Sequence, residues 1–572
     1  MKSADAQRRS TVRAESLSVE NGAQSRSSAQ PERSTKPQIS VLPQDAAQSQ
    51  SASPQKPTGH TNATSQPIAA IEVGSTGIRL LIASLDPNGV IHVLDKASKP
   101  SQIGRDVFTQ GSIGRDALRE TIAVLMTFKE LLSSYAIRPE DAKVIGTSAL
   151  REASNRDTFV DRVALQTGFR IRVIEDIEEN HLMYLAVQQA LQEERALIAK
   201  SNTMILEVGG GTTEIMLLKH GKMTSSHSLH IGTLRLDEQI REAGNSRNYL
   251  RDYLESNIKT TCDQMEEELP LASIKTFIVI GSDARLAAST LGKGKTGAYS
   301  KLGRNEYIQF AEAVSGLSPE EAIEQFNIPW AEAEGLASGL IMESLFLRRT
   351  EAETVIIPNV SIREGLLLAG ARGLDPSIGA EIKRQIVASA QSLGKRYHYD
   401  EQHAHNVSAL SLKIFDFLAK DYALHSHERL LLEVAAILHD IGTFIRASGH
   451  HRHGEYIVAN SEIFGLNRED ITIVSNVVRY HRRAPPSSSH VSFISLTHED
   501  RIIVIKLSAI LRVADALDRN HSGRILDPEF ERSEDKFIIR PTRDLDYSLE
   551  RLSLADKGDM FEDAFGLIPV LV

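Results

Sequence analysis

The chain has 572 residues, of which 41% are hydrophobic, and its formal net charge is -10. A chain of this length is expected to form about three or four domains with packed cores. The negative charge excludes nucleic-acid binding through bulk electrostatics. The single cysteine, Cys262, excludes an internal disulfide framework and a cysteine-based zinc site.

The sequence shows neither a transmembrane segment nor a secretory signal peptide. No apolar run approaches the roughly 18 residues that a membrane span needs, and residues 1–5 lead into polar sequence instead of a signal-peptide core. We therefore expect a cytoplasmic protein with no membrane partner. The acidic composition also predicts no specific nucleic-acid partner.

Residues 1–66 are rich in Ser, Gln, Ala, Pro and Arg and carry almost no large apolar side chains. Such a segment cannot bury enough surface to offset its ordering entropy, so we predict a disordered tail. The alternative is a regulatory or nucleic-acid-contacting tail, because Arg8, Arg9, Arg13 and Arg26 make it basic.

Residues 67–374 alternate strand and helix patterns, which is typical of an α/β fold. The predicted helices include 117–134, 178–190 and 247–268. The predicted strands lie at 69–73, 78–84, 144–146, 171–174, 203–208, 214–218, 277–280 and 354–357. We expect one lobe at 67–190, to which 355–374 return, and a second lobe at 191–354.

The predicted secondary structure changes near residue 375. From 375 to 522 the sequence reads as amphipathic helices, with apolar runs such as 409–418, 430–439 and 504–517. A small C-terminal appendage at 523–572 follows, in which 537–540 is predicted to be a strand. The expected architecture is therefore two α/β lobes, an all-helical domain and this appendage.

Two segments look like the same phosphate-binding hairpin used twice. Each has an apolar strand ending in an acid, Glu72 or Glu207, followed by a turn rich in Gly, Ser and Thr and a second apolar strand. Glycine lets the backbone approach an anion, and hydroxyl and turn N–H groups supply donors. The duplication predicts two lobes that clamp phosphate between them. The candidate phosphate ligands are Ser75, Thr76, Gly209, Gly210, Gly211 and Thr212.

Six motifs in order resemble the exopolyphosphatase / guanosine pentaphosphate phosphohydrolase family, across about residues 68–520. They are 72–79, 146–153 with Asn155, 174–182, 206–214, 281–285 and 361–366. The resemblance implies two actin-like (ribonuclease H-like) lobes and a homodimer. It also implies that polyphosphate or guanosine pentaphosphate is the substrate.

The same resemblance assigns roles to individual residues. Glu179 matches the catalytic base, Glu214 the second catalytic carboxylate, and Arg151 a phosphate-binding arginine, whose guanidinium fork suits phosphate oxygens. Glu72 and Glu207 match acids that orient the waters of a bound Mg²⁺ ion in the cleft. Hydrolysis of a phosphoanhydride needs such a base, charge neutralisation and a metal.

Three departures from the family pattern touch this cleft. The family normally has aspartate at Glu72 and Glu207, and glutamate moves the oxygens by roughly an ångström, to which productive geometry is sensitive. The family also has arginine at His181 and an Asp-Gly pair at Asn359-Val360. A weakened or repurposed cleft is therefore a second interpretation.

The helical region carries its own histidine and aspartate constellation, which resembles the HD metal-dependent phosphohydrolase superfamily. Ligands projecting from several helices are how a bundle builds a metal site. By this analogy a divalent transition metal is held by His403, His439, Asp440 and Asp515. His481 with either His451 or His453 would complete a second metal position.

Three function hypotheses remain open at this point. The first is a phosphatase of polyphosphate or guanosine pentaphosphate that uses the N-terminal cleft. The second places the chemistry in the HD-type domain, acting on a nucleotide, with the lobes as a sensor. The third is a polyphosphate or alarmone binding protein in which both sites are inactive, and an actin-like sugar kinase is a remote fourth.

Overall fold

The computed structural model describes residues 66–86, 89–242, 247–292, 297–370, 376–483, 485–543 and 545–572. The predicted tail at 1–66 lies outside the described residues, apart from Gln66. No helix among the described ranges has both the length and the apolar character to cross a bilayer.

The first lobe is built on a five-stranded sheet with strand order β3-β2-β1-β4-β5. Strand β1 runs antiparallel to β2 and parallel to β4. Its strands are β1 (Ile68–Val73), β2 (Gly77–Leu85), β3 (Ile91–Pro100), β4 (Lys143–Gly146) and β5 (Ile171–Val173). Its helices are α1 (Ile103–Gln110), α2 (Arg115–Ser134), α3 (Ser148–Glu152), α4 (Arg156–Thr167), α5 (Asp176–Ala190) and α6 (Arg195–Lys200).

The second lobe repeats this topology and adds one edge strand, in the order β8-β7-β6-β9-β11-β10. The antiparallel and parallel pairings around β6 match those around β1. Its strands are β6 (Asn202–Val208), β7 (Thr213–Lys219), β8 (Lys222–Leu229), β9 (Ile274–Ile280), β10 (Tyr299–Gly303) and β11 (Thr354–Pro358). Its helices are α7 (Thr233–Glu242), α8 (Arg247–Glu266), α9 (Ser282–Thr290), α10 (Arg304–Ser315), α11 (Pro319–Phe326) and α12 (Trp330–Arg348); α13 (Ile362–Gly370) follows.

Each central strand is largely apolar because both of its faces are covered. In β1, Ala69 and Ile71 pack into one core, whereas Ala70 packs into another on the opposite face. In β6, Leu206 and Ile205 divide between two cores in the same way. The α/β class predicted from the sequence is confirmed, and all eight predicted strands are present.

Three strands of the two lobes, β3, β8 and β10, are missing from the sequence prediction. Strand β3 is mostly exposed along its length, and β8 carries a polar run at residues 224–228. Edge strands of this kind lack an apolar alternation, and their hydrogen bonds to a neighbouring strand fix them instead.

The predicted return of 355–374 to the first lobe needs a correction. Strand β11 pairs with β9 and β10, so its backbone hydrogen bonds place it in the second sheet. The return begins with α13, whose Ile362, Leu366 and Leu367 pack with Ala70 and Ile145 of the first lobe.

The region predicted to be helical is helical. It comprises α14 (Pro376–Arg396), α15 (Glu401–Leu418), α16 (Ser426–Leu438), α17 (His450–Ala459), α18 (Arg468–Tyr480), α19 (Val491–Ile494) and α20 (His498–Leu517). The C-terminal segment follows as β12 (Glu529–Ser533), β13 (Lys536–Arg540), α21 (Ser548–Lys557), α22 (Asp559–Phe565) and β14 (Ile568–Leu571).

The C-terminal segment shares one core with the helices instead of forming a separate appendage. Its Phe537, Leu554 and Phe561 are buried in the same cluster as Leu511 and Val434. Burial of these side chains ties α21 to α20, so residues near the end of the chain have fixed positions in the helical domain.

The helical domain contacts the lobes through α14, where Gln385 accepts from Met223 N at 2.7 Å, and through the buried ring of Phe464. Phe464 is fully buried, and its ring centroid lies 5.2 Å from that of Tyr184 and 5.6 Å from that of His181, both on α5. The same cluster contains Met183 and Ile205. Helix α5 therefore packs against the first lobe, the second sheet and the helical domain.

Candidate active site

The two predicted phosphate hairpins have the same backbone geometry. Glu72 lies opposite Arg79 in the β1–β2 ladder, and Glu207 lies opposite Glu214 in the β6–β7 ladder. Each turn is closed by the same type of bond, from Gly74 N to Gly77 O at 3.0 Å in the first hairpin. In the second, Gly209 N donates to Thr212 O at 2.9 Å.

The turns of the two hairpins face each other at close range. A Cβ added at Gly210 would lie 2.8 Å from Thr76 Cγ2 and 3.2 Å from Ser75 Cβ, so a larger residue would push the lobes apart. Ser75 Oγ in turn lies 3.0 Å from Ser148 Oγ. Glycine is needed at 210 because the opposite turn occupies the space of a side chain.

The start of α7 holds the second hairpin in place. Thr233 N donates to Gly209 O and Leu234 N donates to Gly210 O, both at 3.0 Å. A Cβ at Gly232 would lie 2.5 Å from the Gly210 carbonyl. No motif in the sequence marks Gly232, because only the folded chain brings it against the turn.

The predicted catalytic carboxylates lie together in the cleft. Glu179 is in the first turn of α5, where the positive end of the helix dipole favours acids. Glu214 accepts hydrogen bonds from Asn180 Nδ2 and Ser228 Oγ, each at 2.7 Å. Carboxylate oxygens of Asp176, Glu179 and Glu214 lie within 4.8 Å of one another, which is close enough to share one ion.

Burial controls the ionisation of these acids. Desolvation raises the pKa of Glu179 to about 7, although Arg151 opposes the shift. Burial, with the nearby charges of Glu179 and Glu72, raises the pKa of Glu207 to about 8. The pKa of Glu214 is also raised well above its usual range by burial and by Glu179. A cleft with these acids favours a bound cation, which would stabilise their ionised forms.

Arg151 lies behind the carboxylates and is not among the residues that line the cavity. Its guanidinium donates to Ile174 O at 2.7 Å, lies 3.4 Å from Glu179 Oε2 and pairs with Asp176. In this structure Arg151 forms ion pairs with Glu179 and Asp176, and its role as a phosphate ligand stays a prediction.

The cavity between the hairpins has a volume of about 350 Å³. Glu72, Glu207, Ser75 and Thr76 line it, as do Gly209, Gly210 and Thr212. Gly211 does not line it, because its Cα faces Phe108 and Ser148.

Four cations at the cavity were not assigned as site residues from the sequence. They are Arg79, Lys96, Arg285 and Arg363. Arg79 Nη1 lies 3.2 Å from Glu72 Oε1, and its Nη2 donates to Thr76 Oγ1 at 2.9 Å. Arg285 and Arg363 stand inside two of the six motifs, so their place in those motifs was the signal available for finding them.

The helical domain brings a second set of predicted residues together. Asp400 caps α15 by accepting from His403 N, which places His403 in the first turn, and the end of α16 presents His439 and Asp440. Ligand atoms of His403, His439 and Asp440 lie within 4.8 Å of one another. A second group contains Asp440 with His450 and His481.

His450 takes the place that the sequence assigned to His451 or His453. Its Nε2 lies 3.1 Å from Asp440 Oδ1 and 3.2 Å from His481 Nε2. Neither His451 nor His453 belongs to a metal-binding group of the described residues. The first turn of α17 turns His450 inward, and sequence order alone could not distinguish three histidines within four positions.

Hydrogen bonds at Nδ1 fix how these histidines face the site. His439, His450 and His481 donate from Nδ1 to the carbonyls of Ala436, Ala447 and Val478, at 2.8, 2.9 and 2.6 Å. Their Nε2 atoms therefore present lone pairs inward.

Convergent imidazole nitrogens and a carboxylate are ligands that suit a divalent metal ion. His450 and His481 converge on Asp440 Oδ1, and two nitrogen ligands of one ion are about 3 Å apart. The 3.2 Å between their Nε2 atoms fits a shared metal ion, as does the same distance between the Nε2 atoms of His403 and His439. The residues present therefore fit a divalent metal.

His403 has a different set of partners. Its Nδ1 lies 2.9 Å from Asp518 Oδ2, and its Nε2 lies 3.6 Å from Asp515 Oδ1. Burial acts to lower the pKa of His403, but the bonds to Asp515 and Asp518 outweigh it and raise that pKa to about 9. Asp515 also pairs with Lys557, which the sequence analysis did not identify.

The model of the Ppx/GppA phosphatase family matches residues 81–372, just over half of the chain. The chain belongs to this family. A second model, for domain III of the Ppx/GppA phosphatases, matches residues 386–554. The resemblance found in the sequence is thus confirmed, and so is the enzyme class, a hydrolase that acts on acid anhydrides.

Named relatives of this Ppx/GppA family member are distant. A guanosine-5'-triphosphate,3'-diphosphate pyrophosphatase of Aeromonas hydrophila is 24% identical over 70% of this chain and 77% of its own. One of Pseudoalteromonas translucida is 21% identical over 81% of this chain and 89% of its own.

Solved structures resemble the chain over about half of its length. An exopolyphosphatase from Cytophaga hutchinsonii is 19% identical, with a TM-score of 0.48, over 54% of this chain and 100% of its own. A Ppx/GppA family member from Aquifex aeolicus is 23% identical, with a TM-score of 0.44, over 53% of this chain and 97% of its own.

Proposed function

We propose that this protein hydrolyses a terminal phosphoanhydride bond of guanosine pentaphosphate, polyphosphate or both, in the cleft between the lobes. One observation carries the proposal: the fold brings Glu179 and Glu214, which are 35 positions apart in the printed sequence, into one group between two phosphate hairpins. The names of the relatives in Aeromonas and Pseudoalteromonas support guanosine pentaphosphate as a substrate.

The binding step depends on the hairpins and on the cations of the cavity. Hydroxyls of Ser75 and Thr76, with the backbone of Gly209 and Gly210, would accommodate the terminal phosphoryl group. Arg285 and Arg363 would neutralise phosphates further along the substrate, because an arginine fork fits phosphate oxygens. A polyanion of several phosphates matches this distribution of positive charge.

The chemical step needs an ionised carboxylate next to a water molecule. Glu179 would accept the proton of the attacking water, with its orientation fixed by Arg151. Glu214, whose oxygens are held by Asn180 and Ser228, would keep its position as charge develops. Glu72, Glu207 and Glu214 would hold Mg²⁺. When bound, that ion would neutralise negative charge on the phosphoryl oxygens.

The test is orthophosphate release with Mg²⁺ from guanosine pentaphosphate and, separately, from long-chain polyphosphate. Glu179→Gln is expected to lower kcat by about 100-fold or more, since a general base contributes about that much. Glu178→Gln is the matched control, because Glu178 is the next residue on α5 and pairs with Arg172 at the surface. Equal release by Glu179→Gln and the wild type would refute the proposal.

A second candidate function is favoured by the helical domain. Its two histidine and aspartate groups share Asp440, which is how an HD-type phosphohydrolase or phosphodiesterase would hold metal. In that case a His439→Ala/Asp440→Ala variant, and not Glu179→Gln, would lose hydrolysis of a nucleotide substrate. No release from the wild type or from either variant would point to the third hypothesis, a binding protein, or to another substrate.

Some expectations from the sequence stay predictions. They are the cytoplasmic location, the homodimer, the absence of nucleic-acid and membrane partners, the HD-type identity of the helical domain, and the domain boundaries that the fold did not correct. Sedimentation of the purified chain at several concentrations would test the homodimer directly.

A further inference from the structure

Asp515 differs from the other predicted ligands of the helical site. His403, His439 and Asp440 form one compact group, and Asp440, His450 and His481 form another, but Asp515 belongs to neither. One oxygen of Asp515 lies 3.6 Å from His403 Nε2, and the other is in contact with Lys557 Nζ. Asp515 is therefore already paired with a cation of the chain itself.

The C-terminal segment holds this lysine in place. Lys557 is the last residue of α21, and its side chain is 7% exposed, against 9% for Asp515. Leu554 and Phe561, on either side of it, are buried in the core of the helical domain. A buried ammonium and a buried carboxylate each need a partner, so each of the two retains the other.

The helical site has two halves: the His450 half is His450 and His481, and the Asp515 half is Asp515, His403 and His439, with Asp440 between them. The two halves differ in the groups that neutralise their carboxylates. Asp440 turns Oδ2 toward His403 and His439, at 3.9 and 3.8 Å, and Oδ1 toward His450 and His481, at 3.1 and 3.6 Å. Each half holds two imidazoles whose Nε2 atoms lie 3.2 Å apart, and the His450 half has Asp440 as its carboxylate. The other half contains Asp515 with Lys557, and a metal ion there would stand beside a fixed positive charge.

We propose that Lys557 is the resident cation of the Asp515 half, so that the helical domain binds one divalent ion, held by Asp440, His450 and His481, instead of two. The C-terminal segment would thus set the metal content of the site. This inference does not depend on hydrolysis in the cleft, because it concerns how many ions the helical domain holds.

The experiment counts ions in the full-length protein after loading with Co²⁺, which suits imidazole ligands, and removal of free ion by gel filtration. Ions are counted as the excess over the Asp440→Ala variant, so that any held by the cleft carboxylates cancel. The wild type is expected to hold one such ion per chain. The Lys557→Met variant is expected to hold two, because Asp515 is then free to act as a ligand with His403 and His439.

The charge-preserving variant Lys557→Arg is the matched control and should hold one ion. Two ions in the wild type, or no second ion in a folded Lys557→Met protein, would overturn the proposal. If Lys557→Met does not fold, the asymmetry is tested in the wild-type background. There His481→Ala should lose the ion and His403→Ala should keep it, and the reverse result would also overturn the proposal.

Discussion

Glu207 and Glu214 lie directly opposite each other in the ladder between β6 and β7. The equivalent pair of the first hairpin is Glu72 and Arg79, which form an ion pair at 3.2 Å. Two hairpins with one backbone geometry thus present a neutralised acid on one side of the cleft and two acids on the other. The unbalanced side is where a divalent ion would be stabilised most.

The acids of the cleft predict a pH-dependent affinity for Mg²⁺. Glu179 and Glu207 have pKa values of about 7 and about 8, so below pH 7 both hold protons that an ion must displace. Mg²⁺ affinity should therefore rise as pH rises from about 6 to about 8.5. Calorimetry in two buffers of different ionisation enthalpy should show proton release at pH 6.5 and little at pH 9. A Glu207→Gln variant should release fewer protons, and a flat pH profile would contradict this assignment.

The same shifts fix the sign of the stability change without metal. A carboxyl whose pKa is raised on folding stabilises the folded state fully below its unfolded pKa, and this contribution is lost as pH rises through the folded value. The free energy of unfolding of the Mg²⁺-free protein should thus fall as pH rises from about 4.5 to about 8. Chemical denaturation at each pH measures it, and added Mg²⁺ should reduce the fall. Stability that rises over this window in the wild type but not in Glu207→Gln would contradict it.

Arg151 should act on Glu179 more than on the substrate. The Arg151→Gln variant leaves Asp176 and Glu179 without their cation, so the free energy of unfolding should fall by about 3 kcal/mol. The acidic limb of the kcat/KM profile should move to higher pH, because Arg151 lowers the pKa of Glu179. Arg156→Gln is the control, since Arg156 pairs with exposed Asp157 and donates to the backbone carbonyl of Arg151 at 3.3 Å, without touching Asp176 or Glu179 in the described contacts. A rise in KM without a shift of the pH profile would instead support direct binding of a substrate phosphate by Arg151.

Gly232 should be as important as the glycines of the motif itself. Gly232→Ala places a Cβ 2.5 Å from the Gly210 carbonyl, which forces the second hairpin to move. We expect phosphate release to fall by at least about 10-fold, with a loss of about 1–3 kcal/mol in stability from overpacking. Gly316→Ala, where the nearest atom is 3.6 Å away, should leave both unchanged. Normal activity of Gly232→Ala would show that the hairpin tolerates displacement.

Phe464 should couple the helical domain to the cleft. The Phe464→Ala variant opens a cavity against Tyr184 and His181 on α5, the helix that carries Glu179. The free energy of unfolding should fall by about 3–5 kcal/mol, and activity in the folded protein should fall as α5 loses its support. Phe444→Ala is the control, because its ring is 54% exposed and should cost less than about 1 kcal/mol. Equal losses in the two variants would mean that α5 does not need this contact.

The sequence alone determined the α/β class, the two hairpins with their acids, the helical second half and the family. These features are local: a strand covered on both faces reads as an apolar run, and a phosphate-binding turn reads as its own glycines and hydroxyls. The edge strands, the return point at α13 and the choice of His450 over its neighbours were decided by tertiary structure. So were the move of Arg151 behind Glu179, the constraint at Gly232 and the pairing of Asp515 with Lys557. Each of these features depends on a contact between residues that are distant in sequence. A local sequence pattern does not predict which distant residue will pack against a given side chain.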